Sequence, residues 1–297
     1  MLVAVTGATG FLGRYIVNDL LANGHSCRCW YRTGSDRSGF VSGPCEWVPG
    51  ELGDPDAGAR LVQGADAVIH AALHHPGGGF RGSEGDPAAF VATNVVGTIQ
   101  LIEAARRASV PRFIFISSCA VHDVILDDRP LDETHPLWAK SHYGAHKAAI
   151  EKFVHSYGFG QHYDICALRP TGIFGLASPP TDSRWYDVVR TVAAGENFAS
   201  ARGGKEVHAA DVAKAARLLL TADGVAGQAY NCYDLYVAEE DVAEIAQRLS
   251  GSRSQVGTKR RTPKNQIETG KLRALGMNFG GRAQLEATVK ELLETLR

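Results

Sequence analysis

Charge of one sign is the first thing this chain lacks: 31 Lys and Arg stand against 32 Asp and Glu, a formal net charge of −1. That balance removes the electrostatic case for a nucleic-acid partner or an anionic membrane surface. Cysteines are few and scattered, at positions 27, 29, 45, 119, 166 and 232, with no CxxC spacing. Reduced, mostly buried thiols are therefore expected rather than a disulfide framework. Histidine is plentiful, yet no HExxH pattern supports a metal centre, and none is expected. No apolar run is read as approaching the roughly eighteen residues that span a bilayer, so no membrane segment is expected. Met1 runs directly into Leu2-Val3-Ala4-Val5, which reads as a strand and leaves no room for a signal peptide. A cytoplasmic location follows as the expectation.

What is present is an ordinary globular composition, 44% hydrophobic and 21% charged over 297 residues. Short runs rich in apolar and β-branched residues at 2–5, 27–31, 67–71, 113–117 and 165–168 predict strands buried on both faces. Helical spacing occupies 13–22, 56–62, 90–108 and 143–157, with Asn23-Gly24 as a stop for the first helix. This alternation predicts an α/β fold, a Rossmann-type doubly wound parallel sheet that binds its ligand where strand order reverses. The pattern loosens after Arg169-Pro170. Helices are expected near 185–194, 211–221, 241–249 and 284–296, with a strand at 228–232 and a surface loop at 250–258. Residues 1–170 thus read as a dinucleotide-binding domain to which the chain returns around 205–235. Residues 171–297 read mainly as a smaller substrate-binding lobe.

Two local patterns carry chemistry. Gly7-x-x-Gly10-x-x-Gly13 lies between the first strand and the first helix, where free helical N–H groups favour a pyrophosphate. Tyr143 and Lys147 are four residues apart, so on a helix a phenol and an ammonium share one face. An ammonium favours phenolate, which makes tyrosine a usable acid/base near neutral pH. The second strand ends in Tyr31-Arg32, with Arg37 near and no carboxylate at the position that reads a ribose hydroxyl. Arginine there suits a 2′-phosphate, so NADP is preferred, with NAD as the alternative.

The chain resembles the extended short-chain dehydrogenase/reductases, the NAD-dependent epimerase/dehydratase family. The resemblance rests on Thr6-Gly7-Ala8-Thr9-Gly10-Phe11-Leu12-Gly13, Val68-Ile69-His70-Ala71-Ala72, Asn94-Val95-Val96-Gly97-Thr98, Ile116-Ser117-Ser118, Leu131-Asp132-Glu133-Thr134, Tyr143-x-x-x-Lys147, Leu168-Arg169-Pro170 and Val207-His208-Ala209-Ala210-Asp211-Val212-Ala213. It implies Tyr143 as the general acid/base, Lys147 at the nicotinamide ribose, and Ser118 holding the reacting oxygen, with Ser117 as a rival. Phe11 and Leu12 would lie along the pyrophosphate. Glu51 and Leu52 would stand at the adenine. Ala71, Ala72 and Leu73 would line the cofactor, which Asn94 and Thr171 would also touch. Pairing as a homodimer is implied by analogy.

Three departures bear on the substrate. Where many nucleotide-sugar enzymes of the family carry asparagine and arginine for the diphosphate, this chain has Gly172 and Gly204, with Arg202 and Lys205 close to the second. A tyrosine that often follows the active-site serine is His122. Losing two charged or polar contacts argues against a diphosphate and towards a smaller carbonyl or hydroxyl compound, such as a free sugar or sugar acid. The glycine-rich loop 74–81 follows the strand at 67–71 and could serve as a lid. His75, His122 and Trp185, with Ser118, are candidates to line the substrate pocket. Three readings result. One is a reductase or dehydrogenase. The second is a nucleotide-sugar epimerase or dehydratase with tightly held NAD. The third is a non-catalytic NADP-sensing regulator, which the intact Ser118, Tyr143 and Lys147 oppose.

Overall fold

The computed structural model describes residues 1–76, 82 and 84–297, so residues 77–81 of the expected lid lie outside the described residues. The chain divides into two compact units. One comprises Met1–Pro170, Val212–Cys232 and Ile267–Met277, the other Thr171–Asp211, Tyr233–Gln266 and Asn278–Arg297.

The first unit opens with strand β1 (Leu2–Thr6), helix α1 (Phe11–Ala22), β2 (Ser26–Tyr31), β3 (Cys45–Pro49), α2 (Pro55–Val62) and β4 (Ala67–His70). A long helical segment follows, made of α3 (Pro87–Val91), a π-helical turn (Ala92–Val96) and α4 (Gly97–Arg107). Next come β5 (Arg112–Ile116), α5 (His142–His155) and β6 (Asp164–Pro170). In the second unit the chain forms β7 (Gly172–Phe174), α6 (Tyr186–Ala193) and β8 (Gly203–His208). Helix α7 (Ala209–Leu219) leads back to β9 (Gln228–Cys232), and β10 (Leu235–Ala238), α8 (Glu239–Ser250), α9 (Gly270–Ala274) and α10 (Gly281–Glu294) complete the chain.

Seven strands of the first unit run parallel in the order β3-β2-β1-β4-β5-β6-β9. Strand order reverses between β1 and β4, whose last residues, Thr6 and His70, are register partners. That is the topological switch point where such sheets take ligands. The central strands β1, β4 and β5 are buried on both faces, as their near-continuous apolar character requires. Phe113 and Phe115 of β5 pack with Leu101 and Ile102 of α4 and Ile150 of α5 in the core. In the second unit β10-β8-β7 form a small sheet, and Phe174, Val189, Val242 and Val289 meet in a separate core.

Side-chain caps set the starts of three helices, α2, α3 and α5. Asp54 accepts the N–H groups of Asp56 and Ala57 ahead of Pro55, Asp86 accepts that of Ala89 ahead of Pro87, and Ser141 accepts that of Gly144. The segment Pro87–Arg107 corrects the expectation about apolar runs. Over an eighteen-residue window its mean hydropathy is 1.4, long and apolar enough by composition to cross a membrane, and half of that window is buried within the protein. Its buried residues, among them Phe90, Leu101 and Ile102, serve the first unit's core.

Four strands were not anticipated. β3 alternates half-buried and exposed residues at the sheet's edge, and β7, β8 and β10 are only three to six residues long.

Candidate active site

The glycine loop has little sterically allowed variation. Gly7 adopts φ +70°, and a Cβ there would stand 2.8 Å from the backbone of Ala71 and Ala72. A Cβ on Gly13 would lie 2.0 Å from the Gly7 carbonyl oxygen. Gly10 occupies the N-cap of α1 in extended conformation, with no side-chain cap. Helices α2, α3 and α5 have capped starts, whereas the first N–H groups of α1, at Phe11, Leu12 and Gly13, are left for an anion. The residues present therefore fit a dinucleotide pyrophosphate.

At the end of β2 the arginines take different roles. Arg37 lies with its guanidinium 4.3 Å over the Tyr31 ring. Arg32 is exposed, and its backbone N–H donates to Ser35 Oγ at 3.2 Å. Among the described residues no carboxylate pairs with either. The acidic residue nearby, Asp36, is taken by Arg14 of α1 at 2.9 Å, and backbone N–H donation from Ser38 foremost holds its carboxyl below the usual range. The cation at position 14, which also lies 5.2 Å over Phe40, was not read from the sequence. Glu51 is exposed and Leu52 packs against the first unit's core.

Beyond β4, a chain of hydrogen bonds fixes the backbone of 71–74. Ala72 N–H donates to Thr6 Oγ1 at 3.1 Å, and His74 N–H donates to Asn94 Oδ1 at 2.8 Å. Asn94 Nδ2 donates to the carbonyls of His74 and Phe90. The Asn94 amide, expected at the cofactor, is thus committed to backbone. Ala71, Ala72, Leu73 and His75 are half-buried in this segment.

Ser118 ends the stretch after β5, and its Oγ accepts the Ala120 N–H at 3.1 Å. Ser117 is different: its hydroxyl donates to Glu151 at 2.5 Å, which commits it to the interior. The Ser118 turn and the start of α5 approach closely because position 144 is glycine; a Cβ there would meet the Ala120 carbonyl at 2.5 Å. Tyr143 and Lys147 both lie on α5, with Lys147 Nζ 6.0 Å from the Tyr143 ring centroid. The buried ammonium donates to the Ile116 carbonyl at 2.8 Å and lies 4.6 Å over Phe115. Burial lowers its pKa to about 7, against the pull of Glu151.

His122, a substrate candidate, is buried. Its Nε2 accepts from Arg169 at 3.3 Å and its Nδ1 lies 3.3 Å from the Pro136 carbonyl. Burial first, then the Arg169 charge, lowers its pKa to about 4. Trp185 is likewise buried, in the second unit's core 5.2 Å from Phe174. Thr171 Oγ1 is buried without a hydrogen-bond partner. Two histidine pairs at i,i+4 spacing, His70/His74 and His142/His146, belong to no metal cluster: among the described residues no group of three or more His, Cys, Asp or Glu could hold an ion.

The second unit explains the two glycines that depart from the nucleotide-sugar pattern. Gly172 and Gly204 both face Glu206 of β8. A Cβ at Gly172 would stand 2.4 Å from Glu206 Oε2, and one at Gly204 would stand 2.3 Å from Oε1. Glu206 is 1% exposed; Oε1 accepts from Arg184 at 2.6 Å, while Oε2 has no partner among the described residues. Burial raises its pKa to about 7, opposed by Arg184. No sequence pattern announces this carboxyl.

A doubly wound sheet, an uncapped glycine-loop helix at its switch point and a Tyr/Lys pair after β5 define the short-chain dehydrogenase/reductase class. The model of the NAD dependent epimerase/dehydratase family matches residues 3–232, and the chain belongs to that family. A putative dihydroflavonol 4-reductase of Synechocystis is 32% identical over 48% of this chain and 40% of its own length. A 3 beta-hydroxysteroid dehydrogenase/Delta 5-->4-isomerase of Mycobacterium tuberculosis is 33% identical over 58% of this chain and 47% of its own length. The chain thus spans about half the length of these curated relatives. Among solved structures, UDP-glucose 4-epimerase from Thermotoga maritima superposes with a TM-score of 0.81 at 19% identity, covering both chains completely. That likeness concerns the fold alone.

Proposed function

We propose that the chain is an NAD(P)-dependent oxidoreductase acting between a secondary alcohol and the corresponding ketone of a small carbonyl or sugar-like compound. The observation that carries this reading is the buried Lys147 beside Tyr143, on the helix packed against the Ser118 turn. When bound, a nicotinamide supplies the hydride acceptor or donor. The chain's own part is to bind, orient and move one proton. Tyr143 takes the alcohol proton at its phenol oxygen, or returns it in reduction, while Ser118 orients the reacting oxygen. Lys147 uses one N–H on the Ile116 carbonyl, and its remaining N–H groups would bind the nicotinamide ribose hydroxyls. Gly7, Gly10, Phe11, Leu12 and Gly13 would hold the pyrophosphate, and Ala71, Ala72 and Leu73 would line the cofactor.

NADP is preferred because Arg32 and Arg37 have no carboxylate partner among the described residues, whereas Asp36 is neutralised by Arg14. A 4-hydroxy-2-methyl-3-oxo-4-farnesyl-3,4-dihydroquinoline-1-oxide ketoreductase of Stigmatella aurantiaca, 29% identical over 76% of this chain and 66% of its own length, supports ketone reduction. Glu206 supports a substrate without a diphosphate, since a buried carboxyl stands against both glycine positions. We assign the second unit to substrate binding, with a homodimer carried over from the resemblance. The second reading, an epimerase with retained NAD, is favoured by a UDP-glucose 4-epimerase of Rhizobium leguminosarum bv. trifolii, 32% identical over 52% of this chain and 46% of its own length.

Purified protein, assayed for retained cofactor and for NADPH or NADH consumption across carbonyl compounds and sugar nucleotides, separates the two. Net NADPH oxidation is expected, and tightly held NAD without net turnover overturns the reductase reading. Arg32→Ala should weaken NADP binding at least fivefold more than NAD binding. Equal effects remove the NADP preference.

A further inference from the structure

His70 stands in the motif Val68-Ile69-His70-Ala71-Ala72, whose two alanines follow it towards the cofactor site. It is fully buried at the end of β4, with its ring 5.8 Å from that of Phe115 and 6.1 Å from that of Phe113. An imidazole in such a place is desolvated, and its pKa falls to about 3, so the ring is neutral at physiological pH. Two hydrogen bonds offset that cost. Nδ1 lies 2.6 Å from Thr6 Oγ1 and Nε2 lies 2.8 Å from Thr98 Oγ1.

The partners fix the direction of every link. Thr98 donates its hydroxyl proton to the Asn94 carbonyl at 2.6 Å, so it can only accept from His70. Nε2 therefore carries the imidazole proton and Nδ1 accepts, an assignment made from the network. Thr6 in turn donates to Nδ1 and is left with lone pairs, one of which takes the Ala72 N–H at 3.1 Å. At the other end Asn94 holds both the N–H and the carbonyl of His74, from the π-helical turn 92–96. One ring thus joins the end of β1, the segment 71–74 and the helix that crosses behind it. The sequence separations, 64 residues to Thr6 and 28 to Thr98, mean that no local pattern supplies these contacts.

We propose that His70 is a positioning residue of the cofactor site: as a neutral, single-tautomer strut it sets the backbone of Ala72 and His74 against the glycine loop. The proposal rests on the cofactor reading above. A Cβ at Gly7 would meet the backbone of Ala71 and Ala72 at 2.8 Å, so that segment runs in close approach to the glycine loop. An apolar residue would fill the same core volume and leave Thr6 and Thr98 without their shared partner.

The test uses His70→Leu and the near-isosteric Thr98→Val, each measured as ligand-free and as cofactor-bound full-length protein. In the ligand-free state, hydrogen exchange at the Ala72 and His74 amides should quicken at least tenfold in both variants. By calorimetry the Kd for NADP or NAD should rise at least tenfold, while kcat at saturating cofactor falls less than threefold. The double variant should be no worse than the more affected single one, because both cut the same chain. His70→Asn keeps an acceptor near the Nδ1 position and should restore protection at Ala72 but not at His74. Wild-type exchange rates at both amides in folded Thr98→Val, or an unchanged Kd in it, overturn the proposal. If His70→Leu does not fold, Thr98→Val decides alone. Wild-type protein that binds neither nucleotide refutes the cofactor reading, and with it the assignment of the strut to that site; the exchange result still reports whether the strut exists.

Discussion

Each unit buries a glutamate paired to an arginine, and the two pairs are built differently. In the first unit Arg169 is held against both carboxyl oxygens of Glu151, with contacts at 2.6 and 3.0 Å, and Ser117 adds its hydroxyl. Both side chains are essentially inaccessible, and the remaining guanidinium donors find His122 and the Glu133 carbonyl. In the second unit a single bond joins half-exposed Arg184 to buried Glu206, whose other oxygen has no partner among the described residues. A fully satisfied buried pair fixes one geometry for the elements around it, here β5, β6 and α5 behind Tyr143 and Lys147. A half-satisfied one leaves a buried hydrogen-bond demand worth about 1–3 kcal/mol.

Breaking the first pair gives the largest expected loss. Glu151→Ala strands the Arg169 charge in the interior and should cost about 3–5 kcal/mol in urea unfolding. A loss below about 1 kcal/mol would show that the pair does not organise the core. Beside it, Lys147 sharpens the comparison through pH. Its pKa of about 7 lies below the ordinary 10.5, so between those values the unfolded chain holds more protons and stability rises with pH. Relative to wild type, Lys147→Met should therefore be most stable at pH 7 and lose ground steadily towards pH 10. A pH-independent difference contradicts the buried ammonium.

Glu206 should show the opposite sign over a narrower window. Its pKa is raised from 4.5 to about 7, so its contribution is complete below pH 4.5 and is lost as pH rises through 7. Glu206→Gln should gain on wild type between pH 4.5 and 7 and then run parallel to it. A flat difference across that window means that Glu206 is charged and fully paired in solution.

What the sequence made legible follows the same division. The strands at the centre of the first sheet could be read because each is a short apolar run, and the glycine loop because steric demand restricts Gly7 and Gly13. β3 escaped because Cys45-Glu46-Trp47-Val48-Pro49 is an edge strand with no continuous apolar run, and β8 because it opens Gly203-Gly204-Lys205-Glu206. Tyr143 and Lys147 were singled out from their i,i+4 spacing only together with the glycine loop and the family resemblance. The roles of Asn94 and His122 were not, since their hydrogen-bond partners come from residues distant in the chain. Gly172 and Gly204 stood out as departures, but only packing against Glu206 gives their cause.

The central claim is that Tyr143 moves the proton while the cofactor is held by other groups. Tyr143→Phe removes one oxygen and keeps the ring near His146 on α5. Single-turnover kinetics alongside cofactor titration should show the chemical step falling by about 10²–10⁴, with cofactor Kd within about threefold of wild type. Turnover retained within about tenfold would contradict the account.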